Sequence, residues 1–150
     1  MSNLDQEVLR KVKQWLVHAD EDLRLAQCGL TLTSGCPYRL IAYHTQQCAE
    51  KYLKAYLVHR RVDFPYTHNI SRLLELCAEQ QVNWPETIQK AKGLTSYAIT
   101  TRYPDEDEEV TREETEQAIQ IAVNLRQIVR TALIQEGVKD LGKNSECPGD

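Results

Sequence analysis

Apolar residues recur at steps of three and four along most of this chain, a period that predicts helices with one buried face each. The first apolar stripe comprises Leu4, Val8, Val12, Trp15, Leu16, Ala19, Leu23, Ala26 and Leu30. Together, the stripes and the breaks between them predict five helices, at about residues 4–31, 38–60, 69–80, 85–99 and 111–136. No segment alternates apolar and polar residues as a half-buried strand does, so the pattern favours an all-α fold.

The second predicted helix is apolar around most of its circumference, which is typical of a helix at the centre of a bundle. Its polar residues are not scattered along it. Those spaced three and four apart, and therefore on one edge, are Gln47, Glu50, Lys51 and Lys54. We therefore expect a central helix with a single polar edge.

Capping residues support the helix boundaries. Thr67 or Asn69 can supply the N-cap oxygen of the third helix, and Pro85 suits the first turn of the fourth. Residues 111–114 read Thr-Arg-Glu-Glu, a capping box for the fifth helix, and Gly137 is a natural stop.

These elements predict an antiparallel, up-and-down helical bundle of four main helices plus one short helix. Residues 1–136 would form the domain, and residues 137–150 a flexible C-terminal tail. Five tyrosines present more aromatic surface than one small bundle must bury, and aromatic residues are enriched in the cores of interfaces. We therefore predict a homodimer. The tyrosines are Tyr38, Tyr43, Tyr52, Tyr56 and Tyr97.

The charge and cysteine content narrow the functional classes. A net charge of −4 argues against a broad basic surface for nucleic acid, although it leaves room for a local basic groove. The apolar runs are far shorter than the ~20 residues that span a bilayer, so we expect no membrane association. The five cysteines include no C-x-x-C pair and form no evident disulfide framework, and the sequence shows no signal peptide, so we expect a cytoplasmic protein. Cys48 and Cys77 fall on apolar stripes, where a thiol acts as a small hydrophobe.

Three groups of polar residues could carry chemistry. On the polar edge of the second helix, Gln47 could hydrogen-bond a base, and Lys51 and Lys54 could hold phosphate; the alternative is a solvated edge with Glu50–Lys54 pairing. At the start of the third helix, His68 could add a proton donor to an anion-binding N-terminus, or could simply be part of the cap.

The third group is the loop Arg102-Tyr103-Pro104-Asp105. The planar guanidinium of Arg102 suits phosphate, although it could instead neutralise the acidic run that follows.

Phosphate-binding and nucleophile motifs of the forms G-x-x-x-x-G-K-[ST], G-x-G-x-x-G and G-x-S-x-G are absent from the sequence. The four histidines lack the spacing of a zinc site. We therefore predict no metal and no cofactor.

Four segments in this order resemble the HEPN domain family, in its small prokaryotic form. They are Trp15 with residues 19–23 (Ala-Asp-Glu-Asp-Leu), residues 44–54 (His-Thr-Gln-Gln-Cys-Ala-Glu-Lys-Tyr-Leu-Lys), residues 67–70 (Thr-His-Asn-Ile) and residues 102–105 (Arg-Tyr-Pro-Asp). The resemblance covers about residues 4–134. It implies a helical bundle that is usually a dimer, an association with nucleotides or RNA, and often pairing with a minimal nucleotidyltransferase.

Many HEPN relatives are ribonuclease toxins that use an arginine followed four to six residues later by a histidine. In this chain Arg102 is followed at those positions by Glu106, Asp107 and Glu108, which cannot replace histidine as a proton-transfer group near neutral pH. Our main hypothesis is therefore a nucleotide- or RNA-associated accessory module rather than a complete enzyme, paired with a minimal nucleotidyltransferase in a toxin–antitoxin-like system. The alternative is a ribonuclease toxin that uses Arg102 with His44 or His68.

The ligand-binding residues predicted for the main hypothesis are Gln47, Glu50, Lys51, Lys54, His68, Arg102, Tyr103 and Asp105. Glu50 lies on a largely apolar helix, where a carboxylate needs a cation or hydrogen bonds. We expect Arg102 to fold back towards the polar edge of the second helix, near Glu50, Lys51 or Lys54, and to pair with Glu50, which would leave the two lysines free for an anionic ligand.

Overall fold

The computed structural model describes residues 2–98 and 109–142. Its helices are α1 (Asn3–Gly29), α2 (Tyr38–His59), α3 (Ile70–Ala78), a 3-10 helix (Glu86–Ala98) and α4 (Arg112–Gln135). Within these two ranges no residue lies in a strand. The predicted all-α bundle is confirmed, and every predicted boundary lies within two residues of the observed one.

α2 is the centre of the bundle. It packs against α1, α3, α4 and the 3-10 helix, whereas α1 and α4 touch each other only slightly. Fourteen of its 22 residues are buried, compared with six of 27 in α1, as expected for a helix that is apolar on most sides. The polar residues of α2 are therefore carried into the interior, where each needs a partner.

The predicted caps are present. The side-chain oxygen of Asn69 accepts a hydrogen bond from the backbone N–H of Arg72 at 3.2 Å, and the hydroxyl of Thr111 accepts one from that of Glu114 at 3.1 Å. Gly137, with φ of +98°, follows α4 in a left-handed conformation that suits glycine.

Beyond Gly137 the backbone closes back on α4. The N–H of Val138 donates to the carbonyl of Leu133 at 2.9 Å, and the Val138 side chain is buried against the core. This is the hydrogen-bond pattern of a Schellman motif with its accompanying apolar contact.

The fourth helix winds as a 3-10 helix over all 13 residues. Runs of this length are uncommon, because the hydrogen-bond geometry is poorer than in an α-helix. The local sequence explains part of the outcome, since Gly93, Thr95 and Ser96 disfavour the α-helix, and the Ser96 hydroxyl donates to the carbonyl of Gly93 at 3.3 Å. Ile88, Ala91 and Leu94 still reach the core.

No helix in the described ranges is long and apolar enough to cross a membrane.

Candidate functional site

Glu50 forms the first buried charge cluster. It lies on α2, and only 1% of its surface is exposed. Lys54, one turn further along the helix, donates from Nζ to Glu50 Oε1 at 3.0 Å. The Nδ1 atom of His68, carried by the segment between α2 and α3, lies 2.9 Å from Oε1 and 3.2 Å from Oε2. We call Glu50, Lys54 and His68 the Glu50 cluster. It satisfies a carboxylate whose burial would otherwise be costly.

Aromatic rings enclose the ammonium group of Lys54. Its Nζ lies 5.6, 5.8 and 5.9 Å from the ring centroids of Trp15, Phe64 and Tyr66. Each distance is within the range of cation–π attraction. Because Trp15 belongs to α1 and the other two rings to the α2–α3 connection, Lys54 ties these two segments to α2.

Asp22 of α1 forms a second cluster of the same composition. Its Oδ1 lies 2.8 Å from His44 Nδ1, and its Oδ2 accepts a hydrogen bond from Lys51 Nζ at 2.5 Å. His44 and Lys51 are seven residues apart on α2, so they share one face of that helix. We call Asp22, His44 and Lys51 the Asp22 cluster.

A third cluster joins α1, α2 and α4 around Asp20. The Tyr52 hydroxyl donates to this carboxylate, Arg126 donates from Nε at 2.8 Å, and Arg130 Nη1 lies 3.7 Å away. Burial, and then the charge of Asp20, raise the pKa of Tyr52, which keeps the phenol protonated as a donor. Burial acts most strongly and lowers the pKa of Arg126, but the hydrogen bonds and charges of Asp20 and Tyr52 together outweigh it, so the pKa of Arg126 is raised.

Cys48 lies inside this network without any solvent exposure. Burial raises the pKa of its thiol, and the nearby charges of Asp20 and Asp22 raise it further. Burial likewise raises the pKa of Cys77 to about 12. Both thiols therefore stay protonated at neutral pH, so neither is an activated nucleophile.

Two glutamines of α2 connect the polar edge internally. Gln46 Nε2 donates to the backbone carbonyl of His68 at 3.3 Å, and Gln47 Nε2 donates to Gln46 Oε1 at 2.9 Å. The spacing of polar residues along α2 predicts a role for Gln47 and none for Gln46. The structure shows that Gln46, fully buried, is the residue that holds the backbone at His68.

The expectation that Lys51 and Lys54 are free for a ligand is wrong. Lys51 pairs with Asp22, and Lys54 pairs with Glu50 and is only 7% exposed. The physical reason is that a lysine carried into the interior needs a carboxylate. Glu50 does have partners, and among the described residues they are the ammonium group of Lys54 and the Nδ1 atom of His68.

The loop Arg102-Tyr103-Pro104-Asp105 lies outside the described residues. The approach of Arg102 to Glu50 therefore stays a prediction, as do the ligand-binding roles of Arg102, Tyr103 and Asp105.

Sequence reasoning assigned no ion pairs to Asp20, Asp22, Arg126 and Arg130. A signal for them exists in the sequence. Asp22 directly precedes the buried Leu23, and the two arginines are four residues apart and follow the buried Leu125 and Val129. Charged residues that flank core positions in this way lie at the edge of a packed face, where a partner on the next helix can reach them.

In the described ranges, no group of three or more histidine, cysteine or acidic residues is arranged to hold a metal ion.

One known protein and two solved structures are similar to this chain over most of their lengths. A protein of Methanocaldococcus jannaschii named "Putative toxin MJ1304" is 28% identical over 149 residues, covering 89% of this chain and 95% of its own. The crystal structure of ST0689, described as an archaeal HEPN homologue, matches with a TM-score of 0.63 and 29% identity over 81% of this chain and 97% of its own. The crystal structure of TT1696 from Thermus thermophilus matches with a TM-score of 0.55 and 29% identity over 87% of this chain and 98% of its own.

The HEPN domain model matches residues 12–132, a range that contains α1 from Val12 onward, α2, α3, the 3-10 helix and most of α4. Because the match spans well over half of the sequence and includes all three charge clusters, the chain belongs to the HEPN domain family.

Proposed function

We propose that this chain is a nucleotide- or RNA-associated accessory module of a toxin–antitoxin-like pair, with a minimal nucleotidyltransferase as its partner. The relative from Methanocaldococcus jannaschii, which is named as a toxin, supports the toxin–antitoxin context. The similarity covers most of both chains, so it is not confined to a shared fragment.

The observation that carries the proposal is the way in which two histidines are held. His44 contacts Asp22, and His68 contacts Glu50, in each case through Nδ1. This leaves Nε2, on the far side of each ring, as the atom that can contact a ligand. The two side chains are 30% and 46% exposed, so a ligand can reach them.

A held imidazole loses little conformational entropy on binding: in its neutral form Nε2 accepts a hydrogen bond from the edge of a base, and in its protonated form Nε2 donates to a phosphate oxygen. Lys51, whose side chain is 23% exposed, lies beside His44 on the same carboxylate, where its charge is balanced by Asp22. The group that this edge offers a ligand is therefore the Nε2 atom of His44.

The acidic residues that follow Arg102 favour binding over cleavage. Glu106, Asp107 and Glu108 occupy the positions at which ribonuclease relatives would carry their histidine. Carboxylates there are poor proton donors near neutral pH, so this loop lacks the proton-transfer group that cleavage needs.

A ribonuclease toxin is the second candidate, and the same histidine geometry favours it. An imidazole whose Nδ1 is held by a carboxylate has its Nε2 oriented as a general base requires. His44 or His68 would then act with Arg102, and the relative that is named as a toxin is consistent with this activity.

Incubation with RNA separates the two candidates. We expect the wild-type protein to bind RNA in a filter assay without cleaving it, and we expect His68→Ala, His44→Ala and Arg102→Ala each to weaken binding. Arg72→Ala is the matched control, because Arg72 is exposed on α3 and pairs only with Glu75 of its own helix within the described ranges. Cleavage by the wild type that is lost in a histidine variant would establish the ribonuclease instead. If the wild type neither binds nor cleaves RNA or nucleotides, both candidates are wrong.

A further inference from the structure

An exposed aromatic surface lies next to the Glu50 cluster. Tyr66 is 92% exposed, and its ring meets that of His68 edge to face, with centroids 5.7 Å apart. Trp15 and Phe64 are partly buried. The ring centroids of Trp15, Phe64 and Tyr66 all lie within 6 Å of the Lys54 ammonium group. The structure thus gathers three aromatic rings and an imidazole at one place and leaves the outermost ring uncovered by the described residues.

A groove on α1 continues this surface. Lys11, Gln14, Trp15 and His18 line a cavity of about 230 Å³. Lys11, Trp15 and His18 are spaced three and four apart, so they share one face of the helix. The groove is smaller than the roughly 300–1,000 Å³ clefts that take drug-sized ligands, which suits a single planar group.

Basic residues of α1 lie beside this surface, although the chain as a whole carries −4. Residues 8–19 include Arg10, Lys11 and Lys13 and no acidic residue, and the Glu50 carboxylate beside His68 is paired with Lys54. The carboxylate of α1 that approaches Lys11 is that of Glu7. It bonds Arg10 at 2.8 Å and lies 4.0 Å from Lys11, the limit of an ion pair. The Lys11 ammonium is therefore available to a phosphate.

We propose that this surface, formed by Trp15, Tyr66 and His68 with Lys11 at its side, binds the unpaired bases of single-stranded RNA. The proposal rests on the RNA association proposed above and names the surface that provides it. Aromatic faces accept any base by stacking, while flanking cations contact the backbone phosphates. A paired duplex hides its bases within the stack, so the surface selects single strands.

Substitution of Tyr66 tests the stacking. We expect Tyr66→Ala to weaken binding of a fluorescently labelled 12-nucleotide single-stranded RNA about 5- to 100-fold, the range found when a stacking residue is truncated. Tyr66→Phe retains the ring and should bind within about twofold of the wild type, since stacking on a ring face does not need the hydroxyl. Leu32→Ala removes a half-exposed apolar side chain elsewhere and is the matched control, expected to bind like the wild type.

Three further measurements distinguish direct contact from an indirect effect. In a Trp84→Phe background Trp15 is the one remaining tryptophan, and its fluorescence should be quenched on addition of the RNA. Lys11→Ala should reduce the slope of log affinity against log salt by about one, as loss of one phosphate contact does. A blunt duplex of the same sequence should bind more weakly than the single strand.

The outcomes distinguish failure of this RNA-binding surface from failure of the proposed function. If the wild type binds neither RNA nor nucleotides, the proposed function fails together with this surface. If it binds nucleotides but no RNA, this surface is wrong and the proposed function stands. If it binds RNA but Tyr66→Ala binds equally well and Trp15 fluorescence does not change, this surface is wrong and the proposed function stands. Equal affinity for the duplex and the single strand also contradicts stacking.

Discussion

At the scale of single residues, carboxylates hold the polar edge of α2 together, and the lysines of that edge are their partners. Asp22 and Glu50 each hold one lysine and one histidine. The lysines neutralise the carboxylates, and the histidines are left with one ring nitrogen directed away from the pair. Any ligand at this edge therefore meets imidazoles and the partly exposed Lys51.

Glu50→Gln tests the energetic weight of the Glu50 cluster. The change leaves Lys54 buried without its counter-charge, so we expect the free energy of unfolding to fall by about 3 kcal/mol. Urea denaturation followed by circular dichroism measures it. Glu75→Gln is the control, because the Glu75–Arg72 pair is exposed and should contribute less than about 1 kcal/mol. The double variant Glu50→Gln/Lys54→Met should recover much of the loss, and equal losses in Glu50→Gln and Glu75→Gln would contradict the argument.

At the scale of elements, local sequence signals set the ends of the helices. The Asn69 cap, the Thr111 cap and the Gly137 stop all lie where the sequence predicts them, because a cap depends on residues within one turn of itself. The 3-10 geometry of the fourth helix was not predicted. The buried residues Ile88, Ala91 and Leu94 are each three apart, which fits the three residues per turn of i→i+3 bonding, and the segment packs in this geometry against α2, α3 and α4.

Asn69→Ala should lower the free energy of unfolding by about 1 kcal/mol, since the first turn of α3 loses its side-chain acceptor. Asn69→Asp retains a capping oxygen and should remain close to the wild type. Thermal unfolding of the three proteins at neutral pH measures the effect. An Asp variant as unstable as the Ala variant would show that the cap is not the cause.

At the scale of the whole molecule, the packing that buries α2 also buries titratable groups that prefer to stay neutral. Burial raises the pKa of Cys77 to about 12, and burial together with the Glu136 hydrogen bond raises that of Tyr56 to about 12. The pKa values of Cys48 and Tyr52 are shifted in the same direction. All four groups deprotonate more readily in the unfolded chain, where thiols titrate near ~8.5 and phenols near ~10.

Stability should therefore fall as the solution becomes alkaline. Below pH ~8.5 both states keep these protons and the stabilisation is complete; above that pH the unfolded chain releases protons that the folded chain retains, so unfolding becomes easier up to about pH 12. Urea denaturation at intervals from about pH 7 to 11 should show this decline. Cys77→Ala removes one such group and should make the decline between about pH 9 and 11 shallower than in the wild type. An identical slope in both proteins would contradict the assignment.

The sequence by itself determined the class of fold, the order and bounds of the helices, and the family. Hydrophobic periodicity and helix caps depend on residues close together in the sequence, so they can be recognised without the tertiary structure. The central position of α2 was also predictable, because a helix that is apolar on most sides has to be surrounded. Residues Gln47, Glu50, Lys51 and Lys54 were correctly placed on one edge, since their spacing fixes their angular position around the helix.

Only the tertiary structure decided the partners of that edge. Asp22 lies 29 residues from Lys51, Glu50 lies 18 from His68, and Asp20 lies 106 from Arg126, so no local pattern links them. Each pair forms because packing carries the charges out of water together, and an isolated charge there would cost far more than a paired one. The three rings around Lys54 have the same origin, since residues 15, 54, 64 and 66 meet only when α1 and the α2–α3 connection both pack against the Lys54 side chain.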